Sequence, residues 1–436
     1  MNYVPHTQSD IEDMLAVLGK SSLDELYKGL ESFATKELSL EKGKSQQQVE
    51  RLFSALAAKN KVYTDIYRGA GAYNHYIPAV VKSLTSRQEY LTAYTPYQAE
   101  MSQGILQGIF EYQSMISRLC GMEVSNASVY DGSTALADGI LMLAERKKNK
   151  VLISRGINPM TLEVVKTYLT PQKIEIEYID LNADGTTSID DLKAKLSQDV
   201  FTVAIAQPNY FGIIEPTEEI GKIVKGNMSG YVISAEPISM ALLKSPGECG
   251  ADVAVGEAQP LGIPLSFGGP YLGFITTTKK HMRKLVGRVV GKTTDTQGRD
   301  AYVLTLQARE QHIRREKASS SICSNQALCA LTATIYMAAM GKVGMQDIAK
   351  QCLSKAHYLA QKMTEIDGFK LKYSAEFFNE FVIESKVPSD SIIAKCAQHN
   401  ILAGLKLSDN EILWCATETN TKEDMDRLLN ILREAQ

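Results

Sequence analysis

Two patterns predict an α/β protein: a large domain of about seven mostly parallel strands, followed by a small α+β domain at the C-terminal end. Between residues 127 and 275 short apolar strands alternate with helical stretches, which demands parallel crossovers and a sheet covered on both faces. From about residue 300 long helices come first and weaker strands follow, the order of a separate α+β unit. At 436 residues the chain is long enough for both, plus an arm. The expected boundaries are 1–65 for an N-terminal helical arm, 66–300 for the large domain and 301–436 for the small one.

The arm reads as amphipathic helix. Ser9 with Glu12, and Ser22 with Glu25, fit capping boxes in which each side chain satisfies an orphan backbone N–H. Ser45 with Gln48 opens a further helix, with Val49, Leu52, Phe53, Leu56 and Ala57 on one face. Helices like these wrap another surface, either of this chain or of a partner. Segments 69–78 and 90–98 then gather glycine, proline and the tyrosines Tyr73, Tyr76, Tyr90, Tyr94 and Tyr97. A ring with a polar tip suits an interface or a ligand cleft, and it also serves as a plug that pins a loop to its own core.

Leu106, Ile109, Phe110, Gln113 and Ile116 keep helical spacing from Gln103 onward. Strands are expected at 127–130, 151–154, 174–179, 201–206, 231–235, 253–255 and 271–275. Helices are expected at 134–147, 159–168, 189–196 and 218–225. No helix separates the last two strands, so one of them runs antiparallel or is joined through the glycine-rich loop. Helices at 326–340 and 346–366 precede strands at 369–373, 381–383 and 412–416. A last helix, 421–434, opens on a capping box of Thr421 and Asp424.

Lys and Arg total 47 against 50 Asp and Glu, a net charge of -3 with no basic stripe, which argues against nucleic acid as a partner. The seven cysteines are odd in number, scattered and free of Cys-x-x-Cys pairs, so they read as reduced thiols in a cytoplasmic protein. Residues 1–6 lack the basic and apolar regions of a signal peptide, and the apolar stretch 328–341 is too short to span a bilayer. The six histidines are dispersed, without a His-x-x-x-His pair, and predict no metal centre. Cys120, Cys323 and Cys329 have no base at motif spacing and read as buried thiols. Dinucleotide and P-loop glycine fingerprints are absent. The turn Asp131-Gly132-Ser133-Thr134-Ala135 enters a helix after a strand. Either Asp131 or Ser133 simply caps that helix, or Ser133 and Thr134 help to bind an anionic cofactor group there.

The segments Tyr90–Gln98, Glu100–Gly104, Gly250–Val253, Gly268–Gly273 and Arg309–Ala318 resemble the P-protein of the glycine cleavage system. That family belongs to the fold-type-I enzymes of pyridoxal phosphate (PLP), and the resemblance covers nearly the whole chain. It implies decarboxylation of glycine on PLP and transfer of the aminomethyl group to the lipoyl group of the H-protein. In the family a lysine after a histidine carries the cofactor, in the loop that follows the Gly-Ala-Asp-Val strand. Here the loop reads Val255-Gly256-Glu257-Ala258-Gln259-Pro260, so Gln259 or Pro260 stands in the lysine's place. Lys244 and Lys279 are the nearest lysines, one before the strand and one beyond the next. A carboxamide cannot make the covalent link that an amine makes.

The resemblance therefore implies the non-lysine-bearing half of a two-subunit P-protein. Its beta partner would bind PLP covalently, in an alpha2beta2 assembly. Tyr94, Tyr97, Gln98, His75 and Tyr73 are the candidates for completing the partner's cleft, or else for packing the interface. Glu236, at a strand end, is either the acid for the pyridine nitrogen or a surface acid. Arg314, Arg315 and Lys317 either bind the substrate carboxylate or acidic patches on the H-protein, or form a solvated face. The competing readings are a purely structural partner subunit and an autonomous PLP aminotransferase-like enzyme, which needs a lysine of its own.

Overall fold

The structure, a computed structural model, describes residues 5–33, 39–322 and 324–434 and divides into two compact units, 1–62 and 63–436. The first unit holds α1 (Gln8–Val17), a 3-10 turn at Leu23–Tyr27, and α2 (Gln46–Ala57). Thr7 and Asp10 form the capping box of α1, in place of Ser9 and Glu12. Thr7 still has extended backbone, whereas Ser9 already lies inside the helix and has no free end to cap. Ser22 makes no side-chain cap, because the neighbouring Ser21 takes the Glu25 carboxylate instead. The Ser45–Gln48 box forms as expected. Leu52, Phe53 and Leu56 line an exposed apolar face on α2, a helix with no buried residue.

The second unit opens with β1 (Asp65–Ile66), α3 (Ala79–Thr85), α4 (Gln88–Leu91), α5 (Gln103–Cys120) and β2 (Val124–Ser125). Then come α6 (Gly132–Met142), β3 (Lys150–Ser154), α7 (Pro159–Leu169), β4 (Glu175–Ile179) and α8 (Ile189–Lys195). β5 (Val200–Gln207), α9 (Thr217–Gly226), β6 (Gly230–Ala235), β7 (Val253–Glu257) and β8 (Gly273–Thr277) complete a seven-stranded sheet. Its order is β2-β8-β7-β6-β5-β3-β4, parallel from β7 to β4. β8 runs antiparallel to β7, so one of the two closely spaced strands does reverse.

Every second residue of the central strands serves one face. Val151, Ile153, Val232 and Val255 pack with Leu136 and Ile140 of α6, while Leu152, Val203, Ile233 and Ala254 pack with Ile116 and Tyr336 on the other side. The strand expected at 127–130 shrinks to a single bridge, Val129 to Gly273. The reason is local. Asn126 turns its side chain onto the Val286 carbonyl and the Ile275 N–H, and Ser128 adopts a φ of 122°, which breaks the ladder.

Beyond the sheet, β9 (Val289–Thr294) and β10 (Asp300–Thr305) form a hairpin that the apolar pattern does not predict. α10 (Gln311–Arg314) is one turn, and α11 (Ala327–Thr364) unites the two helices expected at 326–340 and 346–366. Gly341 interrupts α11 at φ 60°, where a side chain would be strained. Counted whole, α11 is long and apolar enough to cross a membrane, unlike the stretch 328–341 alone. It packs instead on α3 and α5 in the core.

The small antiparallel sheet, β11-β12-β15-β14, combines β11 (Phe369–Leu371), β12 (Glu380–Ser385), β14 (Leu405–Ser408) and β15 (Glu411–Cys415). Interleaved with it are α12 (Ser389–Gln398) and β13 (Ile401–Leu402), which pairs with β1. Phe381, Ile383, Ile412 and Trp414 form its buried face under Met425, Leu428 and Leu432 of α13 (Lys422–Arg433). The Thr421–Asp424 box caps α13. The described cysteines are unpaired thiols, and burial pushes Cys120 and Cys396 up to about 12 and Cys329 up to about 11. Cys323 lies outside the described residues.

Candidate active-site cleft

Parallel strands end together, and the crevice at their carboxyl ends is where open α/β sheets place ligands. Here a cavity of about 370 Å³ lies beyond the ends of β5, β6 and β7. The loop Gly69–Tyr73, the N-terminal turns of α6 and α7, Tyr210, Tyr271 and Glu380 complete its wall. Among the described residues, four carboxylic side chains line it, those of Asp131, Glu236, Glu257 and Glu380, and no lysine, arginine or histidine.

Each acid is already engaged. Glu257, the last residue of β7, accepts the N–H of Gly132 at 2.9 Å, that of Gln259 at 3.0 Å and that of Leu272 at 2.9 Å. Burial pushes its carboxyl up to about 7 against the pull of those donors. Glu380, the first residue of β12, accepts the Ala70 N–H at 2.6 Å and the Tyr73 hydroxyl at 2.7 Å, and burial likewise takes it up to about 7. A side chain on Gly69 would come within 2.4 Å of Glu380 Oε1, so glycine is needed for this approach. Glu236 is no surface acid. Its two oxygens accept the Ile238 and Ser239 N–H groups at 3.0 and 2.6 Å, and burial raises its pKa.

Gln259 is 1% exposed. Its Nε2 donates to the carbonyls of Tyr73 at 3.0 Å and Ile263 at 2.7 Å, and its Oε1 accepts the Tyr73 N–H at 2.8 Å. Gln259, one of the two residues that the resemblance puts in the lysine's place, therefore staples the Gly69–Tyr73 loop to the segment that follows β7. At the head of α6 the open choice resolves towards capping: Asp131 accepts the Thr134 N–H at 2.8 Å, and Thr134 bonds back. Ser133 pairs with Thr161 on the cavity wall at 2.9 Å.

The fold brings Tyr73, Ser133 and Glu236 to the cleft and separates the other sequence candidates. Tyr94 is 79% exposed and lines an apolar groove with Leu91, Ile105 and Leu328, while Tyr97, 66% exposed, lies 5.6 Å from the Arg288 guanidinium. Gln98 is exposed before a 3-10 turn. His75 is buried against Glu418, outside the cavity wall. Lys244 and Lys279 are exposed and pair with Glu218 and Glu123. Arg314, Arg315 and Lys317 are exposed. Sequence reasoning misses Asn158, Tyr210 and Glu380 as cleft residues. Glu380 arrives from a different sheet some 300 residues along the chain, and no local pattern marks it.

The glycine cleavage system P-protein family matches residues 1–432. The chain belongs to this family. A probable glycine dehydrogenase (decarboxylating) subunit 1 from Desulfitobacterium hafniense is 46% identical, over 98% of each chain. One of the same name from Listeria monocytogenes is 45% identical, over 100% of this chain and 99% of the relative. Among solved structures, glycine decarboxylase (P-protein) of the glycine cleavage system in inhibitor-bound form superposes with a TM-score of 0.92 at 36% identity, over the full length of both. A sphingosine-1-phosphate lyase, at TM-score 0.68 and 12% identity over 94% of each chain, shares the fold alone.

The resemblance to the P-protein implies PLP as cofactor, yet the cleft of this chain does not fit it. The covalent link needs an amine where Gln259 stands. A phosphate favours free N–H groups or cations, whereas Glu257 and Asp131 take the Gly132 and Thr134 N–H groups and, among the described residues, the charged side chains on the wall are all acids.

Proposed function

We propose that this chain is the subunit of glycine decarboxylase that lacks the cofactor-bearing lysine, working in the cytoplasm with a beta partner in an alpha2beta2 assembly. The observation that carries the reading is Gln259, a fully engaged amide in the lysine's position of a chain that matches the family from end to end. PLP sits covalently in the partner's cleft and supplies an electron sink for decarboxylation of glycine. The aminomethyl group then goes to the lipoyl group of the H-protein. Residues 1–65 act as the arm, 66–300 as the large domain and 301–436 as the small one.

Tyr94, Tyr97 and Gln98, which project from the body rather than into its own cleft, are the residues offered to the partner. Tyr73, His75, Ser133 and Thr134 hold this chain's own loops. Glycine–bicarbonate exchange tests the assignment. The isolated chain shows none, and the assembly with the partner does. Tyr97→Phe in that assembly lowers kcat by about tenfold, the size of one lost hydrogen bond to a reacting group. Unchanged exchange removes Tyr97 from the chemistry, and exchange by the isolated chain removes the whole reading.

A further inference from the structure

Behind the cleft, three metal-binding side chains meet from three parts of the fold: His75 before α3, Cys352 in α11 and Glu418 after β15. Glu418 Oε2 lies 2.7 Å from His75 Nδ1 and 3.4 Å from Cys352 Sγ, and all three donor atoms fall within 4.8 Å of one another. The side chains of His75 and Glu418 are 2% and 8% exposed, and Cys352 is fully buried. In tetrahedral zinc sites, bonds of about 2.0–2.3 Å put the donors roughly 3.3–3.7 Å apart, so shifts of about 1 Å would close this triangle around an ion.

Two further groups point the same way. The Tyr336 hydroxyl is fully buried, without a hydrogen-bond partner among the described residues, and lies in the electrostatic field of Glu418 and Cys352. His75 Nε2 is also buried and without a partner among the described residues, and Glu236 lies within its electrostatic reach. A metal-bound histidine ordinarily directs its second ring N–H towards a carboxylate. The nearby Lys355 ammonium is spent on the backbone carbonyl of Glu418, not on its carboxylate. Tyr76 N–H holds Glu418 Oε1, which leaves Oε2 turned towards the other two donors.

We propose that His75, Cys352 and Glu418 form a buried site for one divalent ion of borderline softness, zinc by its mixed nitrogen, sulfur and oxygen donors. The Tyr336 hydroxyl or a water completes the shell. Binding replaces the His75–Glu418 hydrogen bond, whose Nδ1 proton is given up as the ring takes the tautomer protonated on Nε2, and it releases the Cys352 thiol proton to solvent. The ion fastens the loop that walls the cleft to α11 and to the C-terminal segment. The three residues stand at positions 75, 352 and 418, which is why sequence spacing predicts no metal centre.

The full-length chain, stripped with chelator and desalted, tests this with zinc and then with cobalt as a spectroscopic probe. The expected result is one zinc per chain after desalting and a near-ultraviolet thiolate-to-cobalt band. Cys352→Ser abolishes the band and weakens zinc binding at least about tenfold, and His75→Gln weakens it similarly while keeping the band. Circular dichroism identifies any variant that fails to fold, and the wild-type cobalt spectrum decides in that case. Folded wild-type protein that retains no zinc and shows no thiolate band overturns the site, as does a cobalt spectrum that survives Cys352→Ser.

Discussion

Gln259→Leu lowers the stability of the chain by roughly 3 kcal/mol or more in denaturant unfolding. Leucine keeps the volume but removes both donors and the acceptor. The Tyr73 N–H and the Tyr73 and Ile263 carbonyls then remain buried without partners, at about 1–3 kcal/mol each. Gln259→Glu keeps an acceptor for the Tyr73 N–H but leaves the Tyr73 and Ile263 carbonyls facing a carboxyl oxygen instead of an amide donor. A loss below about 1 kcal/mol for Gln259→Leu would mean that the Gly69–Tyr73 loop is not held by this amide.

The second large effect depends on pH. Asp138 lies in the middle of α6, 3% exposed, with Oδ2 bonded to Ser320 at 3.3 Å and Oδ1 without a partner among the described residues. Burial pushes its carboxyl up to about 7, against about 3.9 in an unfolded chain. The folded state therefore keeps a proton that the unfolded state has lost. Stability from this group is fully present below about pH 4 and drains away as pH rises through about 7. Relative to Asp138→Asn, the wild type loses about 1.4 kcal/mol per pH unit across that window, roughly 4 kcal/mol in all. Above about pH 8 the difference is constant. Parallel stability curves for the two proteins between pH 4 and 8 would refute the buried-acid assignment.

The regions of the fold legible in the sequence are those where periodicity and capping act locally. The strands of the parallel sheet from Val151 onward and the helices between them fall within a few residues of their expected bounds, because buried strands and amphipathic helices write short-range patterns. The hairpin at Val289–Thr305 escapes because its outer half is polar and exposed. The bridge at Val129 escapes because Asn126 and Ser128 spend local hydrogen bonds on breaking a strand.

The site was legible as an absence: an amide where a lysine is needed can be read from one position. Its replacement chemistry was not. Glu257 on the Gly132 N–H, Glu380 on the Ala70 N–H and Glu418 on His75 are long-range pairings, joining residues some 125 to 343 positions apart, which only tertiary folding brings together. Glu236 reads either as the acid for the pyridine nitrogen or as a surface acid because it ends a strand, and the backbone turns over it and seats it on the cavity wall. The tyrosines at 94 and 97 read alike in sequence to Tyr73, and only the fold separates the exposed pair from the buried one.

The most direct measurement is borohydride reduction of the assembled enzyme with PLP and glycine absent, followed by mass spectrometry of each chain. The account predicts a phosphopyridoxyl adduct on a lysine of the partner and none on any lysine of this chain. An adduct on this chain, alone or in the assembly, would contradict it.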